Sequence, residues 1–299
     1  MNPTDLTLSR RATVDWRSYY EITKPKVVML ILFTALVGML LATDGMVPLP
    51  ILFAGMAGIG LAAASGAALN HLVEQRTDAV MQRTRRRPLP SGRLDALSAL
   101  LFAVALGALS MVLLLVWVNP LTALLTLLSL IGYALVYTLF LKRSSPQSIV
   151  WGGLAGAAPP LLGWAAVSGD IHPHALLLVL IVFTWTPPHF WPLAIRRRED
   201  YARAGLPMLP VTHGVAYTKQ QILLYSVALL AVTMLPYATH MTGLFYLLGA
   251  LPLGLGFVWH ALRLYRSEGD RYAMPMFRYS IVYLAALFTL LLTDHYLPY

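Results

Sequence analysis

The sequence predicts an all-α integral membrane protein with nine transmembrane helices. Of its 299 residues, 58% are hydrophobic and only 12% are charged, whereas a soluble domain carries about 25% charged residues. Apolar runs of about 20 residues recur along the whole chain, and each is long enough to cross a hydrocarbon core as a helix. Lipid offers no hydrogen-bond partner to backbone groups, which favours helices. The runs also lack the alternating pattern of membrane β-strands.

Nine such runs follow one another along the chain. They cover residues 26–43, 51–71, 96–117, 120–141, 148–167, 172–195, 220–239, 243–262 and 279–297. No soluble domain stands beside them, so residues 1–299 are interpreted as a single membrane domain. Its predicted polar parts are a cytoplasmic N-terminal segment, 1–23, and two cytoplasmic loops, 72–95 and 196–219.

Positive charge indicates the orientation of these spans. All 22 lysine and arginine residues lie before the first span, at its first residue (Lys26), or after an even-numbered span. Under the positive-inside rule, this alternation places the N-terminus in the cytoplasm and the C-terminus outside. Topology and attraction to anionic lipid headgroups account for most of these residues. The net charge of +9 therefore does not indicate nucleic acid as a partner.

Two further features bear on the compartment. The chain contains no cysteine, which excludes disulfides, thiolate catalysis and cysteine-bound metals. Residues 1–23 are polar and show no cleavable signal peptide, and Asp5, Asp15 and Glu21 are untypical of an acid-poor transit peptide. We therefore expect a multi-pass protein of a bacterial plasma (inner) membrane.

Two acidic clusters lie on the predicted cytoplasmic side, each at the end of a span. Asn70, Glu74 and Asp78 are spaced i, i+4 and i+8, which places them on one face of a helix. Their negative charges repel each other, so neighbouring arginines or a divalent cation must compensate them. Glu199 and Asp200 form the second cluster.

The oxygen ligands of these clusters suit Mg²⁺, which is usually held by a few carboxylates together with substrate phosphates. Arginines accompany both clusters, and guanidinium groups bind phosphate oxygens in pairs. Mg²⁺ and arginine together hold a polyphosphate and stabilise it as a leaving group. The sequence therefore predicts a diphosphate site at the cytoplasmic face. The alternative is two solvated helix ends with ordinary salt bridges.

Aromatic and basic residues end the fourth span. Tyr133 and Tyr137 lie four residues apart there and are followed by Lys142 and Arg143. Such a group is typical either of an aromatic belt with basic anchors or of a substrate contact near the diphosphate site. The spacing leaves both interpretations open.

His189 lies in the sixth span, where Pro187, Pro188 and Pro192 interrupt an apolar run. Each proline removes a backbone donor, and irregular backbone at membrane depth is usually buried in protein or lines a cavity. A histidine in such a break is a candidate functional residue. The alternative is a neutral histidine bonded to another helix. His260 lacks a broken helix and an aromatic cage, so we interpret it as structural.

The pattern Asn70-x-x-x-Glu74-x-x-x-Asp78 resembles the N-x-x-x-D-x-x-x-D signature of the intramembrane aromatic (UbiA-type) prenyltransferase superfamily. Its members have nine transmembrane helices. Within it, the block WTPPHFWPLAIRRREDYARAGLPMLPVTHG (185–214) is similar to the haem farnesyltransferases, or haem O synthases. The resemblance covers nearly the whole chain and extends to residues 21–42, 70–92 and 137–169.

The resemblance implies that Mg²⁺ bridges farnesyl diphosphate to both acidic clusters, while the farnesyl tail lies in a central apolar cavity. It implies Asn70, Glu74, Asp78 and Asp200 as metal ligands. The residues implied to contact diphosphate or haem are Arg83, Arg87, Tyr137, Lys142, Arg197, Glu199 and His189. His189 would contact haem and is a candidate ligand of its iron.

Two positions depart from the family pattern. Glu74 stands where the superfamily usually has aspartate, which lengthens the metal-binding arm by one methylene. Ser91 stands where lysine or arginine is common, and it carries no positive charge for a phosphate or propionate contact.

The implied reaction transfers the farnesyl group to a vinyl group of haem B and adds water, giving haem O, which carries a hydroxyethylfarnesyl group, and diphosphate. An apolar cavity would keep bulk water from the allylic cation, and the reaction needs no strong base. The lipid bilayer surrounds the protein, and haem A synthase or other oxidase assembly proteins are implied partners.

Two alternatives stay open. One is a sister prenyltransferase acting on a quinone precursor or chlorophyllide. The other is a non-catalytic haem-binding or anion-transporting membrane protein.

Overall fold

The computed structural model describes residues 15–298, and over this range the chain is helical with no β-strand. The α-helices are α1 Trp16–Ile22, α2 Pro25–Leu41, α3 Leu49–Val73, α4 Gln75–Val80, α5 Ala96–Trp117, α6 Pro120–Ile131, α7 Lys142–Ser144, α8 Ser148–Ala157, α9 Pro159–Ser168, α10 Pro173–Arg196, α11 Arg198–Arg203, α12 Leu209–Thr212, α13 Gly214–Ala238, α14 Leu244–Arg266 and α15 Ala273–His295. A π-helix, Gly132–Leu141, joins α6 to α7.

Eight helical stretches within residues 15–298 are long and apolar enough to cross a membrane. They are α3, α5, the continuous helix from α6 to α7, the pair α8 and α9, α10, α13, α14 and α15. All eight coincide with predicted spans. The remaining predicted span, 26–43, corresponds to α2, which has 17 residues and is bent by 50° from α1. A ninth crossing therefore depends on counting α1 and α2 as one span.

The bend between α1 and α2 has a local cause. Pro25 occupies the first position of α2, where its missing N–H is not needed. A residue before proline avoids the right-handed helical region, and Lys24 instead has φ 52° and ψ 58°. The first helix therefore stops at Ile22, and Lys24 is held in a fixed turn at the start of α2.

Two glycines allow α2 and α9 to touch backbone to backbone. A Cβ atom at Gly38 would overlap the carbonyl oxygen of Pro160, and one at Gly163 would overlap the carbonyl oxygen of Ala35. Small residues permit such close approach between membrane helices. The contact fixes α9 against α2 beside the cavity described below.

The largest hydrophobic core joins α10, α13, α14 and α15. Trp191, Tyr246, Phe257 and Tyr283 are among its fully buried side chains. The start of α14 is anchored by Asp294 of α15, whose carboxylate accepts the N–H groups of Gly243 at 2.6 Å and Tyr246 at 2.8 Å. This buried acid therefore caps a helix.

An apolar cavity of about 200 Å³ lies between α2, α3, α6, the π-helix, α8 and α9. Its walls are mostly aliphatic, and Lys24 and Tyr133 are among the polar side chains that line it. Because Lys24 sits at the start of α2, the charged end of the cavity is the end where α3 reaches the first acidic cluster.

Candidate active site

The first acidic cluster lies where α3 passes into α4. Asn70, Glu74 and Asp78 are only 2%, 7% and 2% exposed. The predicted single helix is interrupted, because Glu74 is at once the C-cap of α3 and the N-cap of α4. The i to i+4 bonds nevertheless continue through the junction, from Glu74 N–H to the Asn70 carbonyl at 3.0 Å and from Asp78 N–H to the Glu74 carbonyl at 2.7 Å. The three side chains therefore stay on one face.

Each member of this cluster contacts a cation from another part of the chain. The Lys24 ammonium donates to the Asn70 side-chain oxygen, and Lys142 pairs with Glu74. A guanidinium nitrogen of Arg87 lies 2.6 Å from Asp78 Oδ2.

These cations offset the cost of burying carboxylates. Burial by itself raises the pKa of Glu74, but Lys142 and Lys24 outweigh burial and hold that pKa below its usual value. Glu74 is therefore ionised at neutral pH and available as an oxygen ligand.

The π-helix places the end of the fourth span against the same cluster. The Thr138 hydroxyl donates to the Tyr133 carbonyl at 2.8 Å and accepts from the Asn70 amide at 3.4 Å. Tyr133 and Tyr137 stack with ring centroids 5.7 Å apart. Widened π-turns are rare and occur frequently at functional sites. The structure thus brings the end of the span that carries Tyr133, Tyr137 and Lys142 to the first acidic cluster.

The arginine-rich segment between α4 and α5 folds back towards Asp78. The Thr84 hydroxyl donates to the Asp78 carbonyl at 3.0 Å, and Arg87 N–H donates to the Thr84 carbonyl at 2.9 Å. This turn brings the Arg87 side chain to the Asp78 carboxylate. Arg83 is exposed and makes no hydrogen bond or ion pair with any residue between 15 and 298. The Ser91 hydroxyl bonds the Arg87 carbonyl at 2.7 Å, so this departure from the family pattern stabilises the loop.

The second acidic cluster divides into a buried and an exposed residue. Asp200 is buried, pairs with Arg203, and lies 3.9 Å from a guanidinium nitrogen of Arg197. The Arg197 Nε is buried and has no hydrogen-bond partner within the described part of the chain. Glu199 points to solvent. Of the two acids, only Asp200 therefore faces the protein interior.

Tyr201 connects the two clusters. It follows Asp200 in α11 and is buried. Burial raises the pKa of Tyr201, and the charges that act on it include Lys142, Arg83 and Glu74. Tyr201 is therefore near enough to Lys142 and Glu74 of the first cluster for their charges to act on it.

The donor chemistry of the two clusters fits a divalent cation. Asn70, Glu74, Asp78 and Asp200 offer one amide and three carboxylates, all buried, and oxygen ligands of this kind suit Mg²⁺. Among residues 15–298, no three His, Asp or Glu side chains converge into a complete ligand group. Instead, lysine and arginine side chains occupy the carboxylate oxygens.

The expected break in the sixth span is wrong. The α-helix α10 continues through Pro187, Pro188 and Pro192, because membrane helices tolerate proline where neighbouring helices and Ser/Thr side chains satisfy the freed groups. The Thr186 hydroxyl, for example, donates to the Val182 carbonyl at 2.8 Å.

His189 nevertheless occupies a specific pocket on α10. Its ring stacks on Trp185 at 4.0 Å and on Phe277 at 4.8 Å. Its Nδ1 lies 2.6 Å from the Ser280 oxygen, whose own proton points to the Phe277 carbonyl at 2.6 Å. This network assigns the proton to His189 Nδ1 and the lone pair to Nε2, which is the form that binds a metal.

His260 differs from the sequence expectation, which gave it no aromatic cage. Its ring stacks on Tyr279 at 4.3 Å and also lies beside Trp259 and Tyr272. Trp259 is the preceding residue of α14, whereas Tyr279 comes from α15 and Tyr272 from the turn before it. They are compatible with the structural role expected for this histidine.

Sequence reasoning missed two residues of the site. The Lys24 side chain contacts Asn70, which lies 46 residues later in the sequence. The only sequence signal for this residue was the dipeptide Lys24–Pro25, which favours a fixed turn at the start of a span. His71, next to Asn70, is 2% exposed, and both of its ring nitrogens lack partners within the described residues. A buried polar side chain without partners costs free energy, so His71 has hydrogen-bonding capacity to offer a ligand.

Comparison with known proteins shows the family of this chain. Residues 31–282 match the model of the UbiA prenyltransferase family. The chain belongs to the UbiA prenyltransferase family. A protoheme IX farnesyltransferase of Thioalkalivibrio sulfidiphilus is 66% identical over 292 residues, which cover 98% of this chain and 97% of that protein.

Solved structures of the UbiA family share the fold. A structure from work on digeranylgeranylglyceryl phosphate synthase has a TM-score of 0.79 at 17% identity, covering 94% of this chain and 98% of its own. A UbiA homolog from Archaeoglobus fulgidus bound to DMAPP and Mg²⁺ has a TM-score of 0.65 at 18% identity, covering 92% and 99%. At these identities the likeness establishes the fold alone.

Proposed function

We propose that this prenyltransferase transfers the farnesyl group of farnesyl diphosphate to a vinyl group of haem B. Addition of water completes the reaction and gives haem O and diphosphate. The observation that carries the proposal is the buried cluster of carboxylates and cations at the charged end of an apolar cavity. The name of the Thioalkalivibrio relative supports haem as the acceptor.

Asn70, Glu74, Asp78 and Asp200 would hold Mg²⁺ in this proposal. When bound, Mg²⁺ supplies charge neutralisation of the diphosphate oxygens. Lys24, Lys142, Arg87 and Arg203 now contact the ligand residues themselves. When a diphosphate enters, these cations would exchange their amide and carboxylate partners for phosphate oxygens, and the ligand residues would then be free to hold a metal.

The remaining site residues surround the diphosphate. Arg83, which is exposed, and Arg197, with its unpartnered Nε, provide further phosphate contacts, and His71 supplies a buried hydrogen-bond donor. Tyr137 and Tyr133 form the aromatic wall between the diphosphate and the cavity. Glu199 remains at the rim, where it can reach substrate only through solvent.

The chemical step follows from this placement. Positive charge around the diphosphate draws the electron pair of the allylic C–O bond onto the leaving group. The vinyl π-electrons of haem B form the new C–C bond, and water captures the resulting cation with release of a proton. The aliphatic cavity keeps other water away from the allylic cation.

His189 is proposed to orient haem. Its Nε2 carries the lone pair, and Ser280 fixes the ring through Nδ1. Such outer hydrogen bonds commonly set the orientation of metal-binding histidines. Trp185 and Phe277 stack against the same imidazole and limit its rotation.

The proposal includes the membrane arrangement. The bent pair α1–α2 is the first of nine spans, the N-terminus lies in the cytoplasm, and the C-terminus lies outside a bacterial inner membrane. The loops 72–95 and 196–219 then place the active site at the cytoplasmic face of one domain. Haem A synthase or other oxidase assembly proteins would receive the product.

The function is tested with purified protein, Mg²⁺, farnesyl diphosphate and either haem B or 4-hydroxybenzoate, with products identified by mass spectrometry. We expect farnesylated haem only, and its formation should stop when EDTA removes Mg²⁺. An aryl product without a haem product would instead indicate a sister prenyltransferase.

The variant Asp78→Ala should lose turnover while it keeps the haem absorption spectrum. Unchanged turnover in this variant would contradict the metal site.

A further inference from the structure

The apolar cavity runs along α3 away from the acidic cluster. Ile59, Ala63 and Ala67 line it on successive turns of α3. Asn70 and Ile59 are 11 residues apart in the sequence, which corresponds to about 16 Å along a helix at 1.5 Å per residue. This depth is about half of the ~30 Å hydrocarbon core of a bilayer.

The far end of the cavity is closed by packed side chains. Ile31, Ile59 and Leu162 line the cavity and also belong to one hydrophobic cluster with Ala35. Ile59 and Leu162 are 2% and 4% exposed. We call Ile31, Ile59 and Leu162 the cavity floor. The close contact of Gly163 with the Ala35 carbonyl anchors α9, and therefore Leu162, in this position.

We propose that the cavity floor determines the length of the prenyl chain that the enzyme accepts. The inference rests on the proposed function, because it requires the diphosphate to bind at the acidic cluster and the tail to extend from there. A shorter chain leaves apolar wall unfilled and buries less surface. A chain with one more isoprene unit must displace Ile59 or Leu162 from a close-packed cluster, which is unfavourable.

Opening the floor should change this selectivity. We would compare geranyl, farnesyl and geranylgeranyl diphosphate as substrates of the full-length protein and measure kcat/KM for each. In Ile59→Ala and Leu162→Ala, the ratio of geranylgeranyl to farnesyl kcat/KM should rise at least ~10-fold, since a single methylene in an apolar pocket changes discrimination by about 10- to 200-fold. In Ala63→Leu, which narrows the middle of the cavity, preference should move towards geranyl diphosphate.

Ile222→Ala is the matched control for Ile59→Ala. Ile222 is fully buried in α13 and belongs to the other core cluster, so its truncation weakens packing without opening the cavity. Its chain-length ratio should equal that of the wild type. The proposal would be overturned if the ratio of geranylgeranyl to farnesyl kcat/KM stayed within about 2-fold of wild type in both floor variants. Such a change is far below the ~10-fold effect of one methylene.

A binding measurement separates this inference from the proposed reaction. Unreactive thiolodiphosphate analogues of the three chain lengths can be titrated by calorimetry without any acceptor. The wild type should bind the farnesyl analogue most tightly, and the floor variants should gain affinity for the geranylgeranyl analogue. If haem is not farnesylated but this pattern appears, only the acceptor assignment fails. If the order of affinities is the same in wild type and floor variants, the floor proposal fails.

Discussion

At the scale of single residues, Lys24 contacts both the apolar cavity and the first acidic cluster. It lines the cavity, and its ammonium donates to the Asn70 side chain. Its backbone is held in the left-handed region before Pro25, so the side chain enters the site from a fixed turn. A diphosphate bound at the cluster would therefore lie within reach of this cation.

Replacing Lys24 should weaken substrate binding. A hydrogen bond to a charged group contributes about 1.5–3 kcal/mol, so Lys24→Met should raise the KM for farnesyl diphosphate by about 10- to 100-fold. Lys26→Met is the matched control, because Lys26 lies two residues away and is exposed. Steady-state kinetics of haem farnesylation would measure both. Equal effects of the two substitutions would show that Lys24 acts only through the net charge of the segment.

The chemistry of single residues was largely predictable, whereas their partners were not. Helical spacing alone placed Asn70, Glu74 and Asp78 on one face, and the structure keeps them there. Glu199 and Asp200 are adjacent in sequence, and only the packing of α11 decides that one is exposed and the other buried. The pairing of Lys24 with Asn70 depends on how two helices pack, which no local pattern records.

At the scale of helices, the contact between α2 and α9 gives a stability prediction. Gly163→Ala places a methyl group on the Ala35 carbonyl oxygen, and overpacking of this kind costs about 1–3 kcal/mol. Thermal unfolding in detergent should show a lower Tm. Gly132→Ala is the control, since a Cβ there meets nothing within 4 Å and alanine favours helix. A Tm for Gly163→Ala at or above that of Gly132→Ala would contradict the close backbone contact.

Helices were predicted well where hydropathy determines them and poorly where packing does. The long apolar runs identified eight helical stretches, because lipid leaves the backbone no other hydrogen-bonded form. The π-helix at Gly132–Leu141 escaped prediction because its register is set by contacts such as Thr138 with Asn70. The three prolines of α10 suggested a break, but neighbouring helices support a continuous helix around them.

At the scale of the whole molecule, the number of spans determines on which side of the membrane each segment lies. If α1 and α2 together cross the membrane, the start of α1 and the residues after α2 lie on opposite sides. From Asp44 to Arg198 the chain then passes through α3, α5, α6–α7, α8–α9 and α10. These are five crossings, an odd number, so Asp44 and Arg198 must also lie on opposite sides.

The absence of cysteine makes this arrangement directly measurable. We expect Asp44→Cys to react with a membrane-impermeant maleimide in intact spheroplasts, whereas Arg17→Cys and Arg198→Cys should react only after lysis. All three positions are exposed in the structure, so each should react in detergent, and the cysteine-free wild type should never react. Labelling of Arg17→Cys together with Asp44→Cys in spheroplasts would mean that α1–α2 does not cross. Protection of Arg198→Cys before lysis would still place α11, and with it the proposed diphosphate site, on the cytoplasmic side. This is the side that the charge alternation predicts for α11.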